Sequence, residues 1–199
     1  MFASRIAAFL MGLMLLAGSA AASEPHQLIE SMTGDLLSGM EQYRDTADED
    51  PEPFFEYLEG RLDGLIDFKW ISANVMGSYR KTASDEQKKR FADVFRRGLV
   101  ETYGRGLLAY SDEKIVVLPP KGELKGKRKV TVNQEIHGKD KVYPVAYTMG
   151  RNKQGEWKII NVVIGGVNIG KTFRNQFTQA AKKHSGDVDK VIDNWASKV

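Results

Sequence analysis

Cysteine is absent from this 199-residue chain. Its absence excludes disulfides, thiolate nucleophiles and a lipid-modified N-terminal cysteine, so the fold must be held together by packing. Histidine is scarce as well, because His26, His137 and His184 are far apart in sequence and show no metal-ligand spacing. We therefore predict neither a metal site nor a cofactor.

A strong excess of one charge is also lacking. The chain has 29 Lys and Arg residues against 26 Asp and Glu residues, a formal net charge of +3. A nucleic-acid-binding domain typically concentrates much more positive charge on one face. We therefore expect no nucleic-acid partner.

Long hydrophobic runs are limited to the N-terminus. Arg5 precedes the apolar run at residues 6–17, which is too short to span a bilayer core of ~30 Å. Ala20 and Ala22 then form an A-x-A cleavage pattern. The sequence predicts a signal peptide over residues 1–22, a single domain over residues 23–199, and export to the periplasm.

Four helical patterns occupy the first half of the mature chain. They span about residues 24–44, 51–66, 67–77 and 84–110. The last begins with a capping box formed by Ser84 and Gln87. Its apolar face repeats every four residues, at Phe91, Phe95, Leu99, Tyr103 and Leu107.

From Ile115 the hydrophobic period changes from helical to alternating. Four runs rich in Val, Ile and Tyr follow, at about residues 115–120, 128–136, 141–149 and 156–164. Short turns separate the runs, so we predict an antiparallel meander. Two more helical patterns end the chain. The prediction is an α+β fold in which a helical N-terminal half packs on a four-stranded antiparallel sheet, with C-terminal helices.

Residues 165–172, GGVNIGKT, match the phosphate-binding pattern G-x-x-x-x-G-K-[ST]. That pattern requires a buried parallel strand before it and later parallel strands that supply an acidic residue. Here the preceding strand belongs to an antiparallel meander, and helical sequence follows. We interpret the match as fortuitous, and the segment as a strand–turn–helix corner.

Two segments of the helical half have recognisable motifs: residues 67–80, DFKWISANVMGSYR, and residues 90–107, RFADVFRRGLVETYGRGL. The first resembles the DF…LG…aromatic-Arg pattern, and the second the Arg-Phe…Phe…Leu…Thr-Tyr helix, of the MlaC/toluene-tolerance family of periplasmic phospholipid carriers. Residues 156–177, EWKIINVVIGGVNIGKTFRNQF, are similar to its Trp-Lys…Asp…Glu-Gly-Val-Ser…Tyr-Arg-x-x-Phe motif, and residues 185–195 fit its closing helix. The resemblance covers nearly all of the mature chain, in the expected order.

The resemblance implies a function and a set of partners. The protein would be a monomeric carrier, not an enzyme, that shuttles about one phospholipid per chain between the outer and inner membranes and maintains outer-membrane lipid asymmetry. Its partners would be an inner-membrane ABC transporter with a periplasmic lipid-binding domain and an outer-membrane lipoprotein–porin complex.

A carrier needs an apolar cavity, and the strands have the residues to form one. Tyr143, Val145, Tyr147 and Met149 alternate onto one face of the third predicted strand, and the fourth is apolar on both faces. Such a sheet can pack a core on one side and line a cavity on the other. We therefore expect an apolar cavity between the helical layer and the sheet.

Ten residues are our candidates for lipid binding. They are Phe95, Leu99, Tyr103, Val132, Tyr147, Ile160, Val162, Phe173, Arg80 and Arg174. The apolar and aromatic side chains have a spacing that is also typical of a plain core, and Phe173 fits helix docking as well. The two arginines match motif positions of the family and suit a lipid phosphate at the entrance or a structural pairing.

Two other interpretations stay open at this point. A relative in the same family would carry a hopanoid or another polycyclic lipid. An enzyme with a cone-shaped α+β pocket would place one Asp or His at the floor of that pocket, although the spacing shows no nucleophile–base pair.

Overall fold

The computed structural model describes residues 25–108, 114–120, 124 and 126–196. The predicted signal peptide lies outside the described residues and stays a prediction, as does the single domain. Among the described residues, no helix is long and apolar enough to cross a membrane.

Helices come first and last in the chain, with the strands between them. The helices are α1 (Pro25–Tyr43), α2 (Glu52–Asp63), α3 (Phe68–Val75), a 3-10 helix (Gly77–Lys81), α4 (Asp85–Leu108), α5 (Ile169–Lys183) and α6 (Val188–Ala196). The strands are β1 (Lys114–Val117), β2 (Lys129–His137), β3 (Val142–Arg151), β4 (Trp157–Ile164) and β5 (Val167–Asn168). This order confirms the predicted α+β fold.

The sheet is the predicted antiparallel meander with one strand more than expected. Its order is β1-β2-β3-β4-β5, and each strand pairs antiparallel with the next in sequence. The additional strand, β5, has two residues and turns back on the end of β4, where Val167 pairs with Ile164. Alternation over so short a segment gives no detectable signal in the sequence.

Polar side chains fix the starts of three helices. Ser84 and Gln87 form the predicted capping box, with the Ser84 amide 2.9 Å from Gln87 Oε1 and the Gln87 amide 3.1 Å from Ser84 Oγ. Asp67 caps α3, and Asn168 caps α5 by accepting from the amide of Lys171 at 2.9 Å. Each cap satisfies an amide that the helix itself leaves unpaired.

A β-bulge in β4 decides which of its side chains face the helices. Met149 pairs with Ile159, and the register then slips by one residue, so that Ile160 is the extra residue. The bulge resets the two-residue alternation, so Ile159 and Val162 share the inner face with the buried Met149. Ile160 lies on the other face, where its Cδ1 would be 2.9 Å from a Cβ added to Gly150.

The buried apolar side chains that the structure describes form three clusters. The first joins α3, α4, α5 and α6 around Phe91 and Phe177. The second packs α1 against the sheet around Ile29 and Met149. The third joins α1, α2 and α4 around Phe54. A domain of this size more often has one continuous core.

Helices α1 and α2 approach each other closely at Gly39. A Cβ on Gly39 would lie 2.3 Å from Cε1 of Tyr57, and the Tyr57 ring is held in place because its hydroxyl donates to the Asp35 carbonyl at 2.8 Å. Gly34, on the same helix, is exposed and has no atom within 4 Å of such a Cβ.

We predict that Gly39→Ala lowers the free energy of unfolding by about 1–2 kcal/mol, because the added methyl overpacks this contact. The control Gly34→Ala should instead raise it by up to ~1 kcal/mol through helix propensity. Urea unfolding followed by circular dichroism measures both. Equal effects of the two substitutions would show that the α1–α2 contact is looser than described.

Candidate functional site

An apolar cavity of about 190 Å³ lies where the three clusters meet. Leu58 of α2 comes from the third cluster, Phe95 of α4 from the first, and Ile159 of β4 from the second. The remaining lining comes from the same elements, from Ile66 after α2, from α3 and from the first two turns of α5. The cavity therefore lies between the helical layer and the sheet, as predicted from the apolar strands.

The lining offers little besides apolar surface. Its polar side chains are the Tyr103 hydroxyl and the Asn161 amide. Asn161 Oδ1 accepts from the amide of Gly170 at 3.3 Å, and so ties the start of α5 to β4. Tyr103 is 41 % exposed and marks an open side of the cavity, and partial burial raises its pKa. Such a space suits an aliphatic ligand, and its described lining contains no acid–base pair.

Five of the ten candidate residues line this cavity. They are Phe95, Leu99, Tyr103, Val162 and Phe173. The rings of Phe95 and Phe173 meet edge to face, with centroids 5.2 Å apart. Their contact with a lipid stays a prediction.

Two of the remaining candidates lie elsewhere on the inner face of the sheet and do not line the cavity. Val132 is fully buried in the cluster between α1 and the sheet, so it contributes to the core. Tyr147 packs against the same cluster and donates its hydroxyl to Gln134.

The last three candidates lie outside the cavity lining, and their contact with a lipid stays a prediction. Ile160 is the extra residue of the bulge and lies on the face opposite to Val162. Arg80 is exposed on the 3-10 helix and does not line the cavity. Arg174 is exposed as well, and its Nε donates to the Asn74 carbonyl at 2.8 Å, which docks α5 on α3.

Other lining residues were missed by sequence reasoning. They include Leu62 and Ile66 from the end of α2 onward, Ile71 of α3, and Ile169 and Gly170 of α5. The apolar face of the second helical pattern was visible in the sequence, but which helices adjoin β4 was not. Gly170 is required by geometry, because a Cβ there would lie 2.6 Å from Asn161 Oδ1.

A buried chain of hydrogen bonds links α1 to the inner face of the sheet. Tyr147 donates to Gln134 Oε1 at 2.9 Å, Gln134 Nε2 donates to Thr33 Oγ1 at 2.7 Å, and Thr33 donates to the Ile29 carbonyl at 2.8 Å. Gln134 is only 3 % exposed, so these bonds offset its desolvation. Burial raises the pKa of Tyr147 to about 12.

The segment GGVNIGKT does not form a phosphate-binding loop. Gly165 and Gly166, both with positive φ, turn the chain between β4 and β5. The amides that would face a phosphate are already engaged: Gly165 donates to the Pro144 carbonyl, Gly170 to Asn161 and Lys171 to Asn168. The strand–turn–helix interpretation therefore describes the segment.

The described residues contain no group of three or more His, Asp or Glu residues placed to hold a metal. His26 lies at the start of α1. At the end of β2, His137 Nε2 lies 3.0 Å from Glu135 Oε2. His184 follows α5. These positions are on different elements and do not converge.

Comparisons with known proteins agree on one family. The model of the MlaC protein family matches residues 30–197. The chain is 38 % identical over 181 residues to toluene tolerance protein ttg2D of Pseudomonas putida, covering 90 % of this chain and 83 % of that protein. It is 27 % identical over 152 residues to the intermembrane phospholipid transport system binding protein MlaC of Haemophilus influenzae, covering 75 % and 71 %.

A solved structure has a similar fold. It is the phospholipid-binding protein from Ralstonia solanacearum in complex with a phospholipid, with a TM-score of 0.79 and 19 % sequence identity. The match covers 88 % of this chain and 96 % of that one. At this identity the likeness shows the fold alone.

We predict that the buried Tyr147 makes the protein less stable in alkali. Because its pKa is near 12 when folded and ~10 when unfolded, the unfolded state loses the proton first between these values. The free energy of unfolding should then fall with rising pH by up to ~1.4 kcal/mol per unit. Below pH ~10 both states keep the proton and the effect vanishes.

Tyr147→Phe should remove this pH-dependent loss, at a constant cost of about 1–3 kcal/mol for leaving Gln134 Oε1 unpaired. Tyr143→Phe, an exposed tyrosine on the same strand, is the control. Urea unfolding between pH 8 and pH 11 gives the comparison. A Tyr147→Phe variant with an unaltered alkaline slope would contradict the assignment.

Proposed function

The chain belongs to the MlaC family, and from that premise we propose that it binds phospholipid and carries it between two membranes. The observation that carries the proposal is the apolar cavity between α4 and β4. The cavity is lined almost entirely by apolar side chains and opens to solvent on the side of Tyr103. Water finds few hydrogen-bond partners on such a surface, whereas an apolar ligand would remove that surface from water, so the lining favours an apolar ligand.

The lining matches the chemistry of acyl chains. Two chains of ~14 methylenes each gain roughly 22 kcal/mol on leaving water. A carrier must offer a comparably apolar space, because only then is exchange with a membrane nearly neutral. Leu58, Leu62, Leu99, Val162 and Ile164 provide such a surface.

Loading must enlarge the cavity. A cavity of about 150 Å³ holds a single benzene molecule, and the space described is only slightly larger at about 190 Å³. Two acyl chains therefore enter only if the side chains between α4, α5 and β4 separate. The lipid-free and lipid-bound states must then differ in how closely these elements approach.

The compartment and the partners follow from the same proposal. The protein acts in the periplasm, and a soluble shuttle without an ATPase motif cannot set the direction of transport. It equilibrates with an outer-membrane lipoprotein–porin complex and with an inner-membrane ABC transporter, whose ATP hydrolysis supplies the energy. Such contacts are transient, which fits a monomer with small docking surfaces.

The competing interpretations differ in the ligand they require. A polycyclic lipid would need a broad, rigid space, and an enzyme would need an acid–base pair at the cavity floor. The described lining has only Tyr103 and Asn161 as polar side chains, which favours binding over catalysis. The chemical identity of the lipid that co-purifies with the protein separates all three.

We predict that gently purified protein carries about one phospholipid per chain, and that Val162→Phe lowers phospholipid affinity about tenfold. The larger side chain excludes about two methylenes from the cavity, each worth ~0.8 kcal/mol. Native mass spectrometry and uptake of labelled phospholipid from vesicles measure the occupancy.

Val163→Phe is the matched control, because Val163 is the next residue of β4 and does not line the cavity. It should bind lipid like the wild type. Equal losses in both variants would mean that the effect is on stability. A wild-type protein that neither carries lipid nor takes it up would refute the carrier function.

A further inference from the structure

Positive charge is concentrated on three neighbouring elements, although the chain as a whole is nearly balanced. Helix α3 contains one Lys or Arg residue, the 3-10 helix two and α5 four, and none of the three contains Asp or Glu. One of these cations, Lys183, lines a groove between α4, α5 and α6. The other six are exposed, and together with the exposed Trp70 we call them the basic face: Lys69, Arg80, Lys81, Lys171, Arg174 and Lys182.

Contacts between the three elements make the basic face continuous. The Asn74 carbonyl at the end of α3 accepts from Arg174 Nε of α5 at 2.8 Å. The same arginine passes the start of the 3-10 helix, where a Cβ on Gly77 would lie 3.9 Å from Arg174 Cγ. After the end of α5, a Cβ on Gly186 would lie 3.9 Å from Cε1 of Tyr79 in the 3-10 helix. The cations therefore share one surface.

The protein itself leaves this positive charge uncompensated. None of the six cations forms an ion pair with a residue that the structure describes. The carboxylates that border the three elements in sequence are mostly engaged: Asp67 accepts from the Trp70 amide, and Asp85 and Asp187 each pair with a lysine three residues later. Glu86 adds one exposed carboxylate at the start of α4, which is too little to neutralise six cations.

Negative charge is concentrated on a different part of the chain. Residues 45–63, from the loop after α1 to the end of α2, contain eight Asp and Glu residues and one basic residue, Arg61. Helix α2 packs on α1 and α4. The near-zero net charge therefore conceals an uneven distribution, and an anionic surface would attract the protein and orient it by its basic face.

Trp70 adds an aromatic anchor to the basic face. Its side chain is 45 % exposed, more than any other aromatic side chain among the described residues. Its position is fixed by the helix, because the Asn74 side-chain amide donates to the Trp70 carbonyl at 2.7 Å. Tryptophan combines an apolar ring with one N–H donor, and it is enriched where membrane meets water.

The composition of the basic face favours a lipid surface over a protein partner. Four of its six cations are lysines, and lysine is depleted in protein–protein interfaces, whose centres contain few charged residues. Clusters of about four to eight Lys and Arg residues are instead typical of segments that bind anionic bilayers. A tryptophan among such residues is typical of elements that lie in the membrane interface.

The basic face also covers the outside of the cavity wall. Ile71 of α3 and Phe173 of α5 line the cavity from the inner sides of the same helices. A bilayer that contacts their outer sides would lie about one helix diameter, ~10 Å, from the cavity. Docking by this face would therefore bring the cavity close to a membrane.

We propose that the basic face docks the protein directly on anionic bilayers, with its lysines and arginines against lipid phosphates and Trp70 at the level of the headgroups. This inference goes beyond the proposed carrier function, since a shuttle that meets only protein partners needs no membrane contact of its own. It predicts binding that requires anionic lipid and weakens as the salt concentration rises.

Flotation of the lipid-loaded mature protein with vesicles tests the proposal. The protein should bind phosphatidylcholine vesicles that contain about 30 mol % phosphatidylglycerol, and should not bind pure phosphatidylcholine vesicles. Each basic residue near an anionic surface contributes about fivefold to the affinity. The double variant Lys171→Gln and Lys182→Gln should therefore bind anionic vesicles about 25-fold more weakly.

The double variant Lys139→Gln and Lys153→Gln is the matched control. Both lysines are exposed, form no ion pair with a described residue and lie in hairpin turns of the sheet, outside the basic face. The control loses the same net charge as the α5 variant. It should bind anionic vesicles within about twofold of the wild type, because charges beyond a Debye length of the surface are screened.

Tryptophan fluorescence distinguishes a membrane from an acidic protein surface. Trp157 is buried and Trp195 is half-buried, so Trp70 is the tryptophan whose surroundings should change on docking. The emission should shift to the blue when anionic vesicles are added, and Trp70→Phe should remove most of this shift.

The other outcomes would overturn the proposal. Wild-type protein that binds neither kind of vesicle, or both equally, would show that the basic face does not recognise anionic lipid. Equal losses in the two double variants would mean that total charge governs binding. If polyglutamate binds through Lys171 and Lys182 more tightly than the vesicles do, the face docks an acidic protein. Lipid occupancy is measured separately, so the carrier function stands or fails independently of these results.

Discussion

Helix α4 is held away from the sheet, and the cavity exists because of that separation. On one side Gly104 allows α4 to pack closely on α2, since a Cβ there would lie 3.0 Å from both Leu58 and Phe55. On another side Phe91 and Phe95 pack with Phe177 and Trp195 of α5 and α6. These contacts occupy much of the apolar face of α4 and keep it from packing directly against β4, so the core divides into three clusters around the cavity.

Much of the fold could be predicted from local patterns. The capping box at Ser84 and the four-residue repeat of α4 identified a long helix, and short turns between alternating runs identified the meander. The same periodicity gave Phe95, Leu99 and Phe173, because a helix face follows directly from spacing. Periodicity could not show which residues of the apolar helix face belong to the core and which line the cavity, because this depends on the elements that pack against the helix.

The bulge in β4 is a feature that local sequence patterns do not predict. The sequence of β4 is apolar on both faces, so Ile160 and Val162 were equal candidates. The extra residue at Ile160 shifts the register and leaves only Val162 on the inner face, and no pattern around Ile160 predicts this shift. The hydrogen bond of Arg174 could not be predicted for a similar reason, because its partner is the carbonyl of Asn74, one hundred residues away in the chain. Long-range backbone contacts leave no periodic signal.

The proposed lipid cavity is tested most directly in β4, where Val162 and Ile160 lie on opposite faces of the sheet. A benzophenone amino acid placed at Val162 or at Ile160, followed by irradiation and mass analysis in cells, reports which side of the sheet the acyl chains touch. The account predicts phospholipid adducts from position 162 and none from position 160. Adducts from position 160 in place of 162 would contradict it, because lipid would then lie outside the cavity between the helices and the sheet.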